Sequence, residues 1–286
     1  MKRVLITGAN SFVGTSVEKW LSRFPEGYQI HTVDTFGDKW KTEDFSKYDV
    51  VFHVAGLAHV DPKPSMAPLY YKVNRDLTID IAKTAKENGV KQFIFMSSMI
   101  VFHTSKTLKS VVINADTQPD PNDFYGDSKL QAENGIRELE SDDFKVAILR
   151  PCVIYGNNGK GNFQRLAHLA MRTPLFPEWH NKRSMLYIDN LCEFVKQSID
   201  RNLSGIFHLQ NREFADTVEI VKYFAQSNKH SILCSRVFNP LVAVGALVLK
   251  PLCKMFADQY YDPELTSFDF EYQVVSFKDS LKKIQI

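Results

Sequence analysis

Short apolar runs alternate with amphipathic stretches through the first half of the chain. Residues 4–7 (VLIT), 29–34 (QIHTVD), 50–54 (VVFHV), 92–96 (QFIFM) and 145–149 (KVAIL) are rich in Val, Ile and Phe and are bounded by polar or turn-forming residues. Such lengths and compositions predict strands, and their near-continuous apolar character predicts cover on both faces. Between them, residues 13–24, about 72–86 and 125–139 carry apolar side chains at helical spacing. The second of these closes at Asn88-Gly89, where glycine suits a left-handed cap.

Strands alternating with helices are the mark of a parallel sheet with helices on both sides, so the predicted fold class is α/β, a doubly wound Rossmann sheet. Beyond Arg150 the texture changes: Gly156, Gly159 and Gly161 share one loop, and Pro174 and Pro177 the next. This predicts a smaller C-terminal region folded around a ligand. Helical and strand patterns resume from Asn190, at residues 206–209, and at Asp216, which has Glu219 three positions on as in a capping box. The expected division is a dinucleotide-binding domain at 1–155 with the catalytic residues, and a mainly substrate-binding region at 156–286, some of whose elements return to the sheet.

Two apolar segments bear on membranes. The start, MKRVLITGAN, reaches glycine too soon for a signal-peptide core and reads as a first strand. Residues 241–249 (LVAVGALVL) stop at Lys250-Pro251, far short of the roughly 20 residues a bilayer span needs. They read as a buried or interface helix rather than a membrane-surface contact, and stable membrane insertion is not expected.

Composition narrows the partners. With 35 basic and 33 acidic residues the net charge is +2, and no dense Lys/Arg run suggests a nucleic-acid track. Cys152, Cys192, Cys234 and Cys253 lack metal or disulfide spacing, so no metal is expected and a reducing cytoplasm fits.

At the turn from the first strand into the first helix, ITGANSFVG places Gly8 and Gly14 around Ser11. Small residues there let backbone N–H groups and the positive helix end meet a pyrophosphate. Asp34 closes the second strand 20 residues after Gly14, where a dinucleotide fold places the carboxylate for the adenosine ribose. That carboxylate repels a ribose phosphate, and no arginine stands in Val33-Asp34-Thr35-Phe36, so NAD is expected ahead of NADP.

Among the 11 tyrosines only Tyr125 has a lysine four positions later, in Tyr125-Gly126-Asp127-Ser128-Lys129. On a helix the two share a face, and a neighbouring ammonium is expected to lower the phenol's pKa toward general-base use. Ser98 stands at the carboxyl end of a predicted parallel strand, the edge where open α/β sheets bind ligands. Its hydroxyl can orient a substrate alcohol or carbonyl.

Together these residues resemble the extended short-chain dehydrogenase/reductase superfamily, in its NAD-dependent epimerase/dehydratase branch. The motifs are ITGANSFVG, Asp34, Asp44-Phe45, HVAG at 53–56, Asn74, FMSSMIVF, the Tyr125–Lys129 pair, RPCVIYG and KRSMLYIDN. The resemblance implies catalysis by Ser98, Tyr125 and Lys129. It implies a cofactor held by Gly8, Asn10, Ser11, Phe12, Val13, Gly14, Asp34, Asp44, Phe45, Val54, Ala55, Gly56, Asn74, Tyr125, Lys129 and Pro151. Within that set Asp44 and Phe45 touch adenine and Asn74 supports the loop beneath. On the substrate side it implies Ser98, Asn162 and Arg183, with Lys160 also near the nucleotide and Arg183 reaching its diphosphate. A homodimer is implied as well.

Departures refine the expectation. Ser11 replaces a central glycine, which should crowd the space near the pyrophosphate without abolishing the turn, and Phe102-His103 replaces a common Tyr-Gly, pointing to a different substrate pocket. Met99-Ile100 follows Ser98 where sugar 4,6-dehydratases carry Asp-Glu, which argues against elimination of water. The leading expectation is a C4 epimerase of a UDP-hexose or UDP-N-acetylhexosamine serving surface polysaccharide synthesis. The alternatives are an NAD(P)H-dependent reductase of a UDP-4-keto-6-deoxy sugar and a non-catalytic dinucleotide sensor. Residues 256–261 are expected to approach the substrate mouth.

Overall fold

The computed structural model describes residues 1–58, 63–103, 107–159 and 161–285. Six parallel strands form its central sheet: β1 (Lys2–Thr7), β2 (Tyr28–Val33), β3 (Val50–His53), β4 (Gln92–Met96), β5 (Lys145–Pro151) and β6 (Gly205–Leu209). Their spatial order is β6-β5-β4-β3-β1-β2, so the chain moves outward from β1 to β2 and then returns to the other side of β1 for β3. That reversal opens a crevice at the carboxyl ends of β1 and β3, where such sheets take ligands.

Alternation along the strands sorts the core into two layers. Val4, Ile6, Val50, Phe52, Ile94, Met96, Ala147 and Leu149 face one side with Val17 and Leu21 of α1 (Phe12–Leu21). Leu5, Val51, Phe93, Phe95, Val146 and Ile148 face the other, against Ile81, Ala82 and Ala85 of α2 (Leu77–Glu87) and Ala132 and Ile136 of α3 (Phe124–Arg137). Further along, α4 (Asn162–Ala170), α5 (Ile188–Asp200) and α6 (Thr217–Ser227) complete the first layer. Covering both faces is what makes these strands apolar throughout rather than alternating.

Most boundaries shift by a few residues from the sequence expectation. The first helix stops at Leu21, with Ser22 Oγ turned back onto Glu18 O at 2.8 Å, instead of running to 24. The helix expected from 72 begins earlier, at Ala67–Tyr70, and passes through a π-helical stretch, Tyr71–Asp76, before α2. Three short parallel pairs were too brief to show a period: Val111–Ile113 with Gln259–Tyr261, Val153–Tyr155 with Met185–Tyr187, and Leu175–Pro177 with Leu233–Ser235.

Of the two readings of residues 241–249, the buried helix is not met: Asn239–Gly245 is helical and buries Val242, while Leu241, Val244, Leu247, Val248 and Leu249 are exposed. The segment carries more apolar positions than its single packed face can bury. Among the described residues no helix is long and apolar enough to cross a membrane.

Candidate active site

The carboxyl edge of the sheet collects the expected residues in chain order. Past β1, Gly8 adopts φ 99° and its N–H reaches Val33 O at 3.0 Å. A Cβ there would lie 2.8 Å from Ala55 N, so only glycine lets the turn pass the segment after β3 so closely. Asn10 is also left-handed, with φ 64°. Ser11 does more than stand in for a glycine: it caps α1, its Oγ accepting from Gly14 N at 3.0 Å. At Gly14 a Cβ would meet that Oγ at 2.7 Å and Gly8 O at 3.1 Å. The result is a tight turn of small residues at a helix N-terminus, with Phe12 and Val13 in its first turn, which fits the diphosphate of a dinucleotide.

Asp34 sits one residue past β2, exposed, with Oδ1 accepting from Phe36 N at 2.9 Å. Asp44 caps a 3-10 turn, Phe45–Lys47, accepting from Ser46 Oγ at 2.6 Å and Ser46 N at 3.2 Å; the Ser46 hydroxyl and the nearby Lys47 hold its carboxyl below the usual range. The ring of Phe45 is buried edge-on to Trp40, so what this residue offers an adenine is backbone. Val54, Ala55 and Gly56 follow β3, with Val54 N bonded to Thr7 O at 3.1 Å. Asn74, buried on the π-helical stretch, accepts from Leu57 N at 2.8 Å and donates to Leu57 O and to Ser128 Oγ, both at 3.2 Å. It pins the loop after β3 to α3.

Beneath that loop, Thr7 Oγ1 and His53 Nδ1 are 2.6 Å apart, His53 Nε2 and Thr78 Oγ1 3.0 Å, and Thr78 Oγ1 donates to Asn74 O at 2.8 Å. Burial, with the charge of Lys129 adding to it, pushes His53 down to about 3, so it is a neutral link in this chain.

The Tyr-Gly pair owes its form to close packing. Asp123 caps α3, its Oδ1 accepting from Gly126 N at 2.8 Å. A Cβ on Gly126 would come within 2.4 Å of Ile100 O and 2.8 Å of Pro121 Cβ. Glycine therefore lets α3 lie directly on the 3-10 turn Met99–Val101, whose cap is Ser98. That contact sets the Ser98 hydroxyl near the Tyr125 phenol, where it favours the ionised form. Tyr70 covers the phenol ring edge-on, centroids 5.8 Å apart.

The expected acidification by Lys129 is not met. Burial first, then Tyr70 and the charge of Asp123, push the Tyr125 phenol above its ordinary value, and the Ser98 hydroxyl is what opposes them. Lys129 instead donates from Nζ to Met96 O at 2.9 Å and lies 4.7 Å from the Phe95 ring. Its own burial draws it down to about 8, against the pull of Glu133. A Cβ on Gly56 would stand 3.1 Å from both Lys129 Nζ and Asn74 Oδ1, so this glycine keeps the ammonium beside the loop. The phenol is thus poised as a proton donor until positive charge arrives next to it.

Arg150 and Pro151 end β5. The Arg150 guanidinium is buried on Glu133, with Nη2 to Oε2 at 2.6 Å and Nε to Oε1 at 3.1 Å, and it lies 5.1 Å from the Phe102 ring. Phe102 is buried there and against Tyr261, so it belongs to the core. Tyr261, also expected at the mouth, is fully buried and donates to Arg150 O at 3.0 Å. Cys152 and Arg183 lie near enough to influence each other's ionisation, which sets Arg183 beside the end of β5. Arg183 is half-buried, donating from Nη1 to Ala257 O at 3.1 Å.

Asn162 opens α4 exposed, its place fixed by Phe163 stacking on Tyr155 at 4.6 Å. The loop before it packs on the start of α1, since a Cβ on Gly159 would lie 3.4 Å from Phe12. Lys160 lies outside the described residues. The structure thus gathers Asn74, Gly56 and Lys129 beside α3, sets Ser98 on the turn that α3 packs against below Tyr125, places Arg183 toward the end of β5, and leaves Asp34, Asp44 and Asn162 exposed. Tyr70, Asp123 and Glu133 were not singled out from the sequence, although Asp123 ahead of a helix and Glu133 four residues past Lys129 are both readable signals.

A family model described as the RmlD substrate binding domain matches residues 1–232. The chain belongs to this family. Membership places it within the extended short-chain dehydrogenase/reductase group. It is similar to the UDP-glucose 4-epimerase of Vibrio cholerae, 32% identical over 248 residues, 78% of this chain and 75% of the relative. It is also similar to the N-acetyl-alpha-D-glucosaminyl-diphospho-ditrans,octacis-undecaprenol 4-epimerase of Escherichia coli O157:H7, 28% identical over 90% of this chain and 82% of that protein. The crystal structure of UDP-glucuronic acid 4-epimerase from Bacillus cereus in complex with NAD shares the fold, with a TM-score of 0.76, 20% identity, and 99% and 97% of the two chains covered.

Proposed function

We propose that the chain is an NAD-dependent enzyme that epimerises C4 of a UDP-hexose or UDP-N-acetylhexosamine. The observation that carries this reading is the packing of α3, which bears Tyr125 and Lys129, directly on the turn capped by Ser98 at the carboxyl edge of the sheet, in a relative of 4-epimerases. The tight turn at Gly8 and Gly14 supports a dinucleotide, and the Asp34 carboxylate supports NAD over NADP. Bound NAD supplies a reversible hydride acceptor at C4 and a positive charge next to the phenol.

Within this reading Ser98 holds the C4 oxygen and the phenol oxygen of Tyr125 takes its proton, then gives it back when the sugar is released with C4 inverted. Lys129 and Asn74 fix the loop after β3, which would help hold the cofactor. Arg183 meets the diphosphate and Asn162 borders the nucleotide. Residues 1–155 hold the cofactor and 156–286 mainly the sugar, in a cytoplasmic homodimer serving surface polysaccharide synthesis.

The test is to purify the protein, assay for bound NAD, and incubate it with UDP-hexoses and UDP-N-acetylhexosamines without added reductant. A hexosamine carried on a polyprenyl diphosphate, the kind named for the Escherichia coli relative, belongs in the same panel. Interconversion of C4 epimers is the expected result. Inertness there, with stoichiometric NADH or NADPH oxidation on a 4-keto-6-deoxy sugar nucleotide, would replace this reading with the reductase.

A further inference from the structure

Val237, Leu241, Val244 and Val248 lie on a 3-10 turn (Arg236–Phe238), the helix Asn239–Gly245 and the turn that follows it. They are 78%, 69%, 66% and 81% exposed, and Leu247 beside them is 84% exposed. Val242 and Ala246 of the same segment are buried, as are Cys253 and Phe256 of the helix after it. A run of aliphatic side chains held outward on an ordered turn is a surface made for apolar contact.

The charge around it selects the partner. From Ile220 to Ala257 the chain contains Lys222, Lys229, Arg236, Lys250 and Lys254 and neither Asp nor Glu. Glu178 offsets part of this, pairing with Lys222 at 3.3 Å and Arg236 at 3.9 Å. A two-fold contact between two copies of this face would bring its basic residues toward their own kind. An apolar stripe flanked by Lys and Arg is complementary to acyl chains under anionic headgroups. We propose that residues 237–249 dock this protein on the surface of an anionic lipid bilayer.

The helix that follows the docking element is tied to the candidate site. Asn181 Nδ2 donates to Met255 O at 3.0 Å, Thr217 Oγ1 to the same oxygen at 2.9 Å, and Arg183 Nη1 to Ala257 O at 3.1 Å. Cys253 Sγ in turn reaches Ala246 O of the docking element at 3.3 Å. Docking itself is independent of the epimerase reading.

Co-sedimentation with vesicles of phosphatidylethanolamine and phosphatidylglycerol tests it, with phosphatidylcholine vesicles as the neutral comparison. The full-length protein is expected in the pellet with the anionic vesicles only, and less so as salt is raised. Replacing both exposed residues, Leu241→Ser and Val248→Ser, is expected to lower the bound fraction about tenfold. Circular dichroism and turnover of a soluble UDP-sugar should stay unchanged, which separates lost docking from lost folding and from failure of the epimerase reading. Failure of the wild type to sediment at low salt, or equal sedimentation of the variant, would overturn the proposal. So would a wild-type dimer that the variant splits in light scattering without any vesicle binding, since a second copy would then be the occupant.

Discussion

Tyr125 carries a proton that its surroundings hold in place: burial, Tyr70 and Asp123 resist ionisation, and Ser98 alone among the named neighbours favours it. Removing the Ser98 hydroxyl should therefore raise the phenol further. In Ser98→Ala the acid limb of the pH profile of kcat/KM, governed by ionisation of Tyr125 in the loaded enzyme, is expected to move to higher pH with a loss of roughly tenfold or more near neutrality. Lys129 sets the other limb. Its pKa is lowered to about 8, so the ammonium is present below that pH and is lost as pH rises through it, and activity should decline there. A profile flat through pH 8 would remove Lys129 from the account. The identities of Ser98, Tyr125 and Lys129 were legible because their spacing and strand-end position are local. The direction of the tyrosine shift was not, because it depends on Tyr70, distant in sequence, and on how deeply the ring is covered.

At the scale of elements, two glycines decide how closely backbones approach. Gly8 passes Ala55, and Gly126 lets α3 settle on the turn that bears Ser98. In Gly126→Ala the added Cβ, 2.4 Å from Ile100 O, must displace that turn. The expected outcome is a destabilisation of about 1–3 kcal/mol in urea unfolding, together with a fall in kcat exceeding the change in KM. Unaltered kcat with unaltered stability would mean the contact is looser than the geometry states. The strand-helix alternation was readable because long segments repeat their apolar period several times. Three-residue strands such as Val111–Ile113 do not, and the π-helical stretch Tyr71–Asp76 shifts the helical phase by one residue, so neither was visible. Ser11 shows the converse: a missing glycine read as crowding is, in the folded chain, a helix cap.

Across the whole molecule, polar groups buried between sheet and helices couple the site to stability. His53 is neutral in the folded state, with its pKa lowered from 6.5 to about 3. The unfolded chain takes up a proton first, so this contribution is fully present above pH 6.5 and is lost as pH falls from there toward 3. Urea midpoints measured from neutrality downward should fall across that window, and the slope should flatten in His53→Asn. The Arg150–Glu133 pair is buried at both ends. Removing one partner, as in Glu133→Ala, is expected to cost about 3–5 kcal/mol because the other charge is left unpaired. The two-layer core was legible from the strands alone. The outward stripe at 237–249 was not, because apolar sequence gives burial potential and only tertiary packing decides which face is used.

The most direct test compares wild type with Tyr125→Phe on one UDP-sugar without added reductant, following C4 inversion by NMR. Loss of the phenol oxygen leaves the ring packed beneath Tyr70, so the fold and NAD content should persist while turnover falls by roughly 10²-fold or more. Turnover equal to wild type in a folded, NAD-loaded variant would contradict the assignment of proton transfer to Tyr125 and with it the mechanism built on the Ser98–Tyr125 pair.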